Sequence, residues 1–594
     1  MPGGSEAGSV YCAGSYSGFR PTEVSTLSEA QGRESRKMRS EGQGDETAQH
    51  NALYALPSVL AALPFMVLAC RVLLHRQNPV YSGDAALLEL AVRSAARADR
   101  AVGPYSRFDF FHPGPMMFYV LSPFKWVTGG APWALPLAVD LFNGFVMVLF
   151  VLLVQRSTPR WSGAREAHAG AEGPTLTDRR NGLLAGAAAA AVALAYAVAI
   201  DLGLLQILWN PLLIMLPVAL LLVASAFARS WAGIALIAVA ATFALQSNIS
   251  TAPVVIAASA CAVLWLAVDA VSHRRATSSC ETDTRRWPAR WIAVIAAGIA
   301  LVAWMPPVAQ QLTANTGNFG RIWHFFRSSG EPEPGIRRAV AFAGRELAVF
   351  PSRIIWKGSL TADTVNLWWG AIALVGFLGV ATTLVVIAVR RQSRPATRLG
   401  VVALVGAFAA VYSMASVRGP VYWYIGAYMS AVAVPLLLGW LLLASDRFPI
   451  WGPRIVAGSL GVLTIFAVTS AATTPINNNR AFPNESIYRT NTEAAWRVVE
   501  PIVGPGRDRV VLTGDTALLP TIAGVALKLE ESGIRVRVTA ALVPWFGPER
   551  LAQRGSGQEI SITSGAVPDG YRLVGHAPSR LLGAPMITFS TADF

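Results

Sequence analysis

Eleven apolar stretches run through the chain, each close to the roughly 20 residues that a bilayer-spanning helix needs. They fall at 54–73, 133–154, 182–200, 211–228, 231–245, 252–271, 291–308, 368–389, 399–416, 422–444 and 455–473. The polar segments between them are mostly short. The longer ones are a tail at 1–51, a first loop at about 75–132, a middle loop at about 309–367 and a C-terminal region at 474–594. The tail is rich in Gly, Ser and Glu without an apolar period, which predicts a disordered cytoplasmic segment, and Met38 stands as an alternative start. The first apolar run is too long and too far in for a cleavable signal. A shorter stretch, 116–128, follows His112-Pro113-Gly114-Pro115 and ends at Gly129-Gly130.

Counting 116–128 as a span would give twelve and invert everything after it, and charge decides against that. With eleven spans and the N-terminus inside, the cytoplasmic segments are 1–51, 155–181, 229–230, 272–290, 390–398 and 445–454. Together they hold 22 Lys and Arg, whereas the short outer turns 201–210, 246–251 and 417–421 hold only Arg418. That is the positive-inside bias of a multi-pass membrane protein. The stretch 116–128 is then expected as a juxtamembrane or re-entrant helix whose ends protein covers. The fold class that follows is a polytopic α-helical membrane protein with about 11 transmembrane helices at 52–473. A C-terminal extracytoplasmic α/β domain at 474–594 completes it. The expected location is the plasma (inner) membrane, with the N-terminus cytoplasmic.

The C-terminal region alternates elements in the manner of a small soluble domain. Val510–Thr513 reads as a strand, Leu518–Ser532 as a helix stopped by Gly533, and Ile534–Thr539 as a second strand, a βαβ unit. Strands near 559–563 and 571–575 complete the expectation. Gly514-Asp515-Thr516 reads as a helix cap, and no GxGxxG or Walker pattern occurs. The domain is expected to fold alone and to assist acceptor binding rather than chemistry.

Composition removes other classes. The 594 residues are 53% hydrophobic and 14% charged, against roughly a quarter charged in soluble domains, which excludes a single soluble enzyme. The net charge of +14 invites a nucleic-acid partner, but the arginines cluster in the short gaps between apolar runs, so no nucleic acid is expected. Arg outnumbers Lys 45 to 4, as in GC-rich genomes. Cys12, Cys70, Cys261 and Cys280 are scattered singly, with no CxxC pair and no HExxH. No dedicated metal motif is present, and the cofactor stays unknown, a divalent cation included.

Candidate chemistry concentrates in the first loop. Asp84 follows Tyr81-Ser82-Gly83 at the start of an amphipathic stretch, where a carboxylate reads either as an N-cap or as a general base at the water–lipid boundary. Glu89 and Arg93 are four apart and can pair on one helix face. Arg107 lies in Gly103-Pro104-Tyr105-Ser106-Arg107-Phe108, and His112 stands in a rigid turn between Phe108–Phe111 and Pro113-Gly114-Pro115. Asp140 falls deep inside a span, where acids default to a functional reading, with a structural partner such as Asn143 as the alternative. Gln246 and Asn248 occupy a polar outer turn, and Trp209-Asn210-Pro211 reads as a helix break. Arg418 precedes Tyr422-Trp423-Tyr424 and can meet a phosphate or anchor the interface. Arg321, Arg345, Arg353 and Lys357 of the middle loop are rivals for the phosphate. Asn484-Glu485-Ser486 matches the glycosylation acceptor pattern and is set aside.

An acid after the first span, a juxtamembrane helix, and His-Pro-type residues opening a short helix together resemble the GT-C superfamily of membrane glycosyltransferases. The pattern is similar to that of the protein O-mannosyltransferases and the lipid A aminoarabinose transferases. The resemblance covers the span plan and about 40 residues of loop. It implies a sugar moved from a polyprenyl-phosphate donor to an extracytoplasmic glycan, lipid or protein of the cell envelope, with Asp84 as the catalytic acid-base group. Glu89, Arg107, His112, Asp140, Gln246, Asn248, Arg418 and Tyr422 are the substrate-binding candidates. Two positions depart from the pattern: the paired Asp-Glu of the mannosyltransferases is Asp84-Ala85 here, and Met116-Met117 replaces the Lys that follows the Pro motif. A transporter or flippase of a lipid-linked glycan and a non-catalytic envelope assembly partner remain as alternatives, although no internal repeat of the transporter kind is visible.

Overall fold

The computed structural model describes residues 53–158, 176–228, 231–276, 287–350, 366–448, 450–475, 484–503, 508–553, 557–581 and 584–593. The tail at 1–51, Arg353 and Lys357 lie outside the described residues. Internal contacts divide the chain into Met1–Leu56 and Pro57–Phe594, and the candidate site lies wholly in the second.

All eleven apolar stretches are helical. Among the described residues, nine helices are long and apolar enough to cross a membrane, from Leu53–His75 to Trp451–Thr473. Asn210–Ala226 and Gly233–Ser247 are shorter. Large apolar side chains point outward from the helices, with Leu301, Val375 and Ile465 at 71%, 70% and 70% exposure. Such a surface is at home against lipid chains rather than water. The stretch 116–128, expected as a juxtamembrane or re-entrant helix, is helical over Met116–Val127.

The middle segment differs from the loop expected at 309–367. The helix Trp287–Thr313 runs into it, and two more follow at Asn318–Ser328 and Gly335–Leu347. Both are short and amphipathic, with arginines every few residues on the polar face, so they lack the continuous apolar run that marked the spans. The Gly335–Leu347 helix meets Leu367–Arg390 so closely that a Cβ on Gly344 would collide with the Gly370 carbonyl.

The C-terminal region forms a five-stranded sheet: β1 (Arg509–Gly514), β2 (Arg535–Val538), β3 (Gln558–Thr563), β4 (Arg572–Leu581) and β5 (Ala584–Asp593), in the order β2-β1-β3-β5-β4. β1 lies parallel to β2 and β3, while β5 runs antiparallel to β3 and β4. The helix Leu519–Glu531 connects β1 to β2 as the βαβ pattern requires. Two elements exceed the sequence expectation: β5 and the helix Glu485–Val499, which packs on Leu519–Glu531 and β4.

One helix of the first loop, Gly83–Ala96, belongs to both bodies. Its Ala86, Leu87 and Leu90 enter the core of the sheet domain beside Ile522, Leu529 and Val510. Its Leu88, Ala91, Val92 and Ala95 enter the core of the membrane bundle beside Met117, Leu121 and Leu135. The apolar positions recur at helical spacing on two opposite faces, so neither can turn to solvent without exposing the other. Burial of each leucine contributes about 1.5–3 kcal/mol. The core of the sheet therefore extends beyond residues 474–594.

Ion pairs and charged hydrogen bonds fix the middle of this helix and the turn that follows it. Fully buried Glu89 accepts from Arg93 at 3.0 Å and from Lys125 at 2.5 Å, tying the helix to Met116–Val127. Arg550, buried itself, bridges Glu530 at 2.7 Å and the Leu90 carbonyl at 2.9 Å. Arg100 lies over the rings of Phe111 and Phe118 and reaches Glu549 at 2.7 Å and the Phe546 carbonyl at 3.0 Å.

Truncation of Leu90→Ala removes a side chain from the shared core and is expected to cost about 2–5 kcal/mol. Glu89→Ala leaves the Lys125 ammonium buried and unpaired, a loss of about 3–5 kcal/mol. Both should appear as a lower melting temperature of the detergent-solubilised chain. A wild-type melt in both variants would show that the helix does not join the two bodies.

Candidate active site

Where the loop helix Gly83–Ala96 meets the bundle, the chain encloses a cavity of about 420 Å³. Asp84, Arg107, His112, Asn248 and Arg418 line it, together with Tyr105, Trp209, Phe325, Ser413 and Tyr424. The lining is mainly aromatic and apolar, with few polar groups, the usual make-up of a small-molecule site.

Asp84 stands in the first turn of the loop helix, where the helix dipole favours a carboxylate. The N-cap position is Ser82, so the capping alternative for Asp84 does not hold. Its Oδ1 accepts a hydrogen bond from the Tyr105 hydroxyl, and Trp209 supplies a second donor. Burial pushes the Asp84 carboxyl above the usual carboxylate range, and the two donors pull it back. Burial and the Asp84 charge hold the Tyr105 phenol well above its ordinary value, so Tyr105 stays protonated and remains a donor.

The backbone around His112 is folded by close approach. The loop doubles back with Tyr105 bridged to Phe111, and Gly103 N–H donates to the His112 carbonyl at 3.1 Å while His112 N–H donates to Pro104 at 2.8 Å. A Cβ on Gly103 would sit 2.6 Å from the His112 oxygen and 2.7 Å from the Gly114 oxygen, which only glycine avoids. Asn318, from the middle segment, brackets Phe111 by accepting its N–H at 2.8 Å and donating to its carbonyl at 2.9 Å. The His112 Nδ1 accepts the Ile249 N–H at 3.2 Å, which puts the ring proton on Nε2. Burial lowers the imidazole to about 4, so at neutral pH it is an uncharged donor on the cavity wall.

Two cations stand on the wall. Arg107 is exposed, lies over the rings of Phe108 and Tyr422 at 4.6 and 4.7 Å, and donates to the Pro420 carbonyl. Arg418 pairs with Glu333 at 2.9 Å and reaches the Phe326 carbonyl at 3.3 Å. Asn248 uses its Oδ1 to accept the Ser250 N–H at 3.1 Å and hydroxyl at 2.8 Å, fixing the turn at Ile249–Thr251.

Other candidates are placed apart from the cavity wall. Glu89 is committed to Arg93 and Lys125. Asp140 accepts from Gln206 at 2.9 Å inside the bundle. Gln246 clamps the Pro-Gly-Pro turn from behind, accepting the Met116 N–H at 3.1 Å and donating to the Ala303 carbonyl at 2.9 Å. Tyr422 stacks on Tyr424 at 5.5 Å, one ring removed from the lining. Arg321 pairs with Asp109 at 3.7 Å and Arg345 with Glu346 at 2.8 Å. Tyr105, Trp209, Tyr424 and Asn318 were not singled out from sequence. Tyr105 lay within the informative Gly103–Phe108 run, and Trp209 within a segment read as a helix break. Among the described residues no three His, Cys, Asp or Glu side chains gather as a metal site.

Fold and site define a helical, membrane-type protein with an α/β domain and an aromatic cavity whose one carboxylate among the described residues, Asp84, is carried by the loop helix. No protein-family model and no curated protein matches the chain. Among solved structures it is similar to ArnT from Cupriavidus metallidurans in the apo state, at 13% identity and a TM-score of 0.45 over 92% of this chain and 98% of that one. It is also similar to ArnT from Cupriavidus metallidurans bound to undecaprenyl phosphate, at 12% identity and 0.43 over 91% and 97%. The functional reading rests on the cavity of this chain itself.

His112 gives a pH test. Its pKa is lowered from 6.5 to about 4 in the folded chain, so below 6.5 the unfolded chain binds the extra proton. The stability this contributes is complete above pH 6.5 and falls away as pH drops towards 4. The melting temperature should decline over that window in the wild type and less steeply in His112→Gln. Equal slopes would show that the imidazole is not held neutral.

Proposed function

We propose that the chain is a membrane glycosyltransferase that moves a sugar from a polyprenyl-phosphate donor to a cell-envelope acceptor. The observation that carries this reading is Asp84: a carboxylate with a raised pKa, oriented by Tyr105 and Trp209, on the wall of a largely apolar cavity that also holds Arg107 and Arg418. An apolar cavity at the edge of the bundle suits a prenyl chain, and the two guanidiniums suit its phosphate.

In the proposed reaction Asp84 takes the proton of an acceptor hydroxyl. The hydroxyl oxygen forms its bond to the anomeric carbon as the bond to the polyprenyl phosphate breaks, with inversion. The electron pair leaves with the phosphate, whose charge Arg107 and Arg418 meet. A phosphate leaving group needs little protonation, so one acid-base group suffices for this step. The neutral His112 Nε2–H orients a sugar hydroxyl, and the ring faces of Trp209 and Tyr424 bound the space a sugar would fill. The topology proposed with this is eleven spans, with the N-terminus cytoplasmic and the sheet domain outside the plasma membrane, where an envelope acceptor would be met.

Asp84→Asn preserves shape and removes the base, so transfer should fall by about 10²–10⁴ while the melting temperature holds. Full activity in that variant overturns the assignment. The base works only when ionised, so the acidic limb of kcat/KM should lie above the usual carboxylate range. Tyr105→Phe removes a donor to the ionised form and should move that limb to still higher pH. A limb at ordinary carboxylate pH, or one moved downward by Tyr105→Phe, contradicts the geometry. Movement of a labelled lipid-linked glycan with no bond cleaved would instead favour a transporter. For topology, a reporter fused at Gly170 should read cytoplasmic and one at Gly557 external; both on one side would exclude the eleven-span arrangement.

A further inference from the structure

The helix that carries Asp84 begins in an unusual way. Its N-cap, Ser82, makes no side-chain hydrogen bond to its own helix. The Ser82 hydroxyl instead donates at 2.8 Å to Oε1 of Glu485, 403 positions away in sequence, and the Ser82 backbone N–H bonds the same carboxylate. In a capping box a Glu three residues into the helix takes the N-cap N–H. Here that position is Ala85, and the C-terminal domain supplies the carboxylate from outside.

Glu485 is presented rigidly. It is the first residue of the helix Glu485–Val499 and is buried, 4% exposed. Asn491 pins this helix to β4 by accepting the Arg580 N–H at 3.1 Å and donating to the Ser579 hydroxyl at 3.3 Å. Across from it, Gly524 leaves room for Thr492; a Cβ there would collide with the threonine side chain. The carboxylate thus sits where two helix N-termini meet, a position that favours negative charge. The charged and titratable groups whose fields reach it are Asp84, Arg489 and the Tyr81 phenol. Gly83, between Ser82 and Asp84, has a left-handed φ of 51° and packs near Pro520 and Tyr488, so the turn into the base is shaped by the same domain.

We infer that Glu485 is a positioning residue for Asp84: the sheet domain grips Ser82 through it, sets the start of the base-bearing helix, and supplies from outside the capping carboxylate that Ala85 does not. This rests on the reading of Asp84 as the base. Burial, then the Asp84 charge, raises the Glu485 carboxyl to about 7, with the Ser82 hydrogen bonds and Arg489 opposing. Glu485 therefore changes charge in the working pH range, and the activity profile should carry an inflection there besides that of Asp84.

The test uses the full chain in detergent and follows release of undecaprenyl phosphate from a panel of undecaprenyl-phosphate-linked hexoses and pentoses, with envelope membranes as acceptor. Glu485→Gln keeps the shape and one acceptor oxygen but cannot ionise. Its kcat should fall about 10- to 100-fold, the range a misplaced catalytic group produces, with the donor KM unchanged and the inflection near pH 7 gone. Glu485→Asp, which restores the charge, should restore the inflection. Ser82→Ala deletes only the bridging hydroxyl and should lower kcat in the same way, which covers a Glu485→Gln chain that fails to fold. Wild-type kcat and pH profile in Glu485→Gln, or wild-type kcat in Ser82→Ala, overturn the inference. If Asp84→Asn is inactive while those variants are normal, only the positioning role fails. If Asp84→Asn is active, the base assignment fails and this inference with it; if the wild type releases nothing, the transferase reading itself fails.

Discussion

The structure depends on one helix having no solvent face. Gly83–Ala96 places Ala86, Leu87 and Leu90 in the core of the sheet domain and Leu88, Ala91, Val92 and Ala95 in the core of the bundle. A helix packed on one side can rock about its axis; a helix packed on two cannot without opening a cavity in one core. Asp84 rides in its first turn, so the carboxylate inherits that rigidity. The neighbouring polar contacts serve the same constraint. Glu89 with Lys125 locks the bundle side, and Arg550 and Arg100 lock the domain side through backbone carbonyls and carboxylates. Such buried ion pairs add little net stability over apolar packing, but breaking one is costly. Their effect is to specify a single docking.

From this frame the site is assembled out of segments far apart in the chain. The His112 turn is closed by Gln246 behind it and by Asn318 beside it, and its ring is oriented by the Ile249 amide. The aromatic wall combines Trp209 with Tyr424 at 4.7 Å and Phe108 with Phe325 at 4.5 Å. This wall raises the Asp84 carboxyl by excluding water, while Tyr105 and Trp209 keep its ionised form within reach. A carboxylate that is easily ionised is a weak base; desolvation strengthens it, and donors to the ionised form oppose that rise. The exposed guanidinium of Arg107 and the Glu333-paired Arg418 add positive charge without entering the carboxylate's own hydrogen bonds.

The residues that pointed to the site were legible in unequal measure. Asp84, Arg107, His112, Asn248 and Arg418, chosen from the loops, do share one cavity, because loops on one side of a bundle converge where their helices end. Glu89, Asp140 and Gln246 did not join them. A charge or amide deep in an apolar run carries the same sequence signal whether it faces a cavity or a neighbouring helix, and only packing separates the two. Tyr105 escaped notice because an aromatic in a loop is common, and what distinguishes it is a hydrogen bond to a residue 21 positions away. The two middle-segment helices are amphipathic and lack the continuous apolar run that marks a span, and β5 is stabilised by its pairing with β3 and β4.

By itself the sequence determined the helical membrane architecture, since an apolar run of spanning length has no other low-energy state once lipid removes water from its backbone. It also determined the βαβ start of the sheet, whose strand–helix–strand alternation is a local signal, although Asp515, expected as a helix cap, makes no side-chain cap bond and instead accepts from the Ser564 N–H and hydroxyl at 2.7 Å. Which loop residues meet, that Ser82 rather than Asp84 holds the N-cap position of the loop helix, and that its hydroxyl bonds Glu485 were decided only in three dimensions. These facts depend on contacts across hundreds of residues, such as Ser82 with Glu485 and Leu90 with Arg550. Local propensity along the chain carries no record of which distant surface will bury a face or accept a proton.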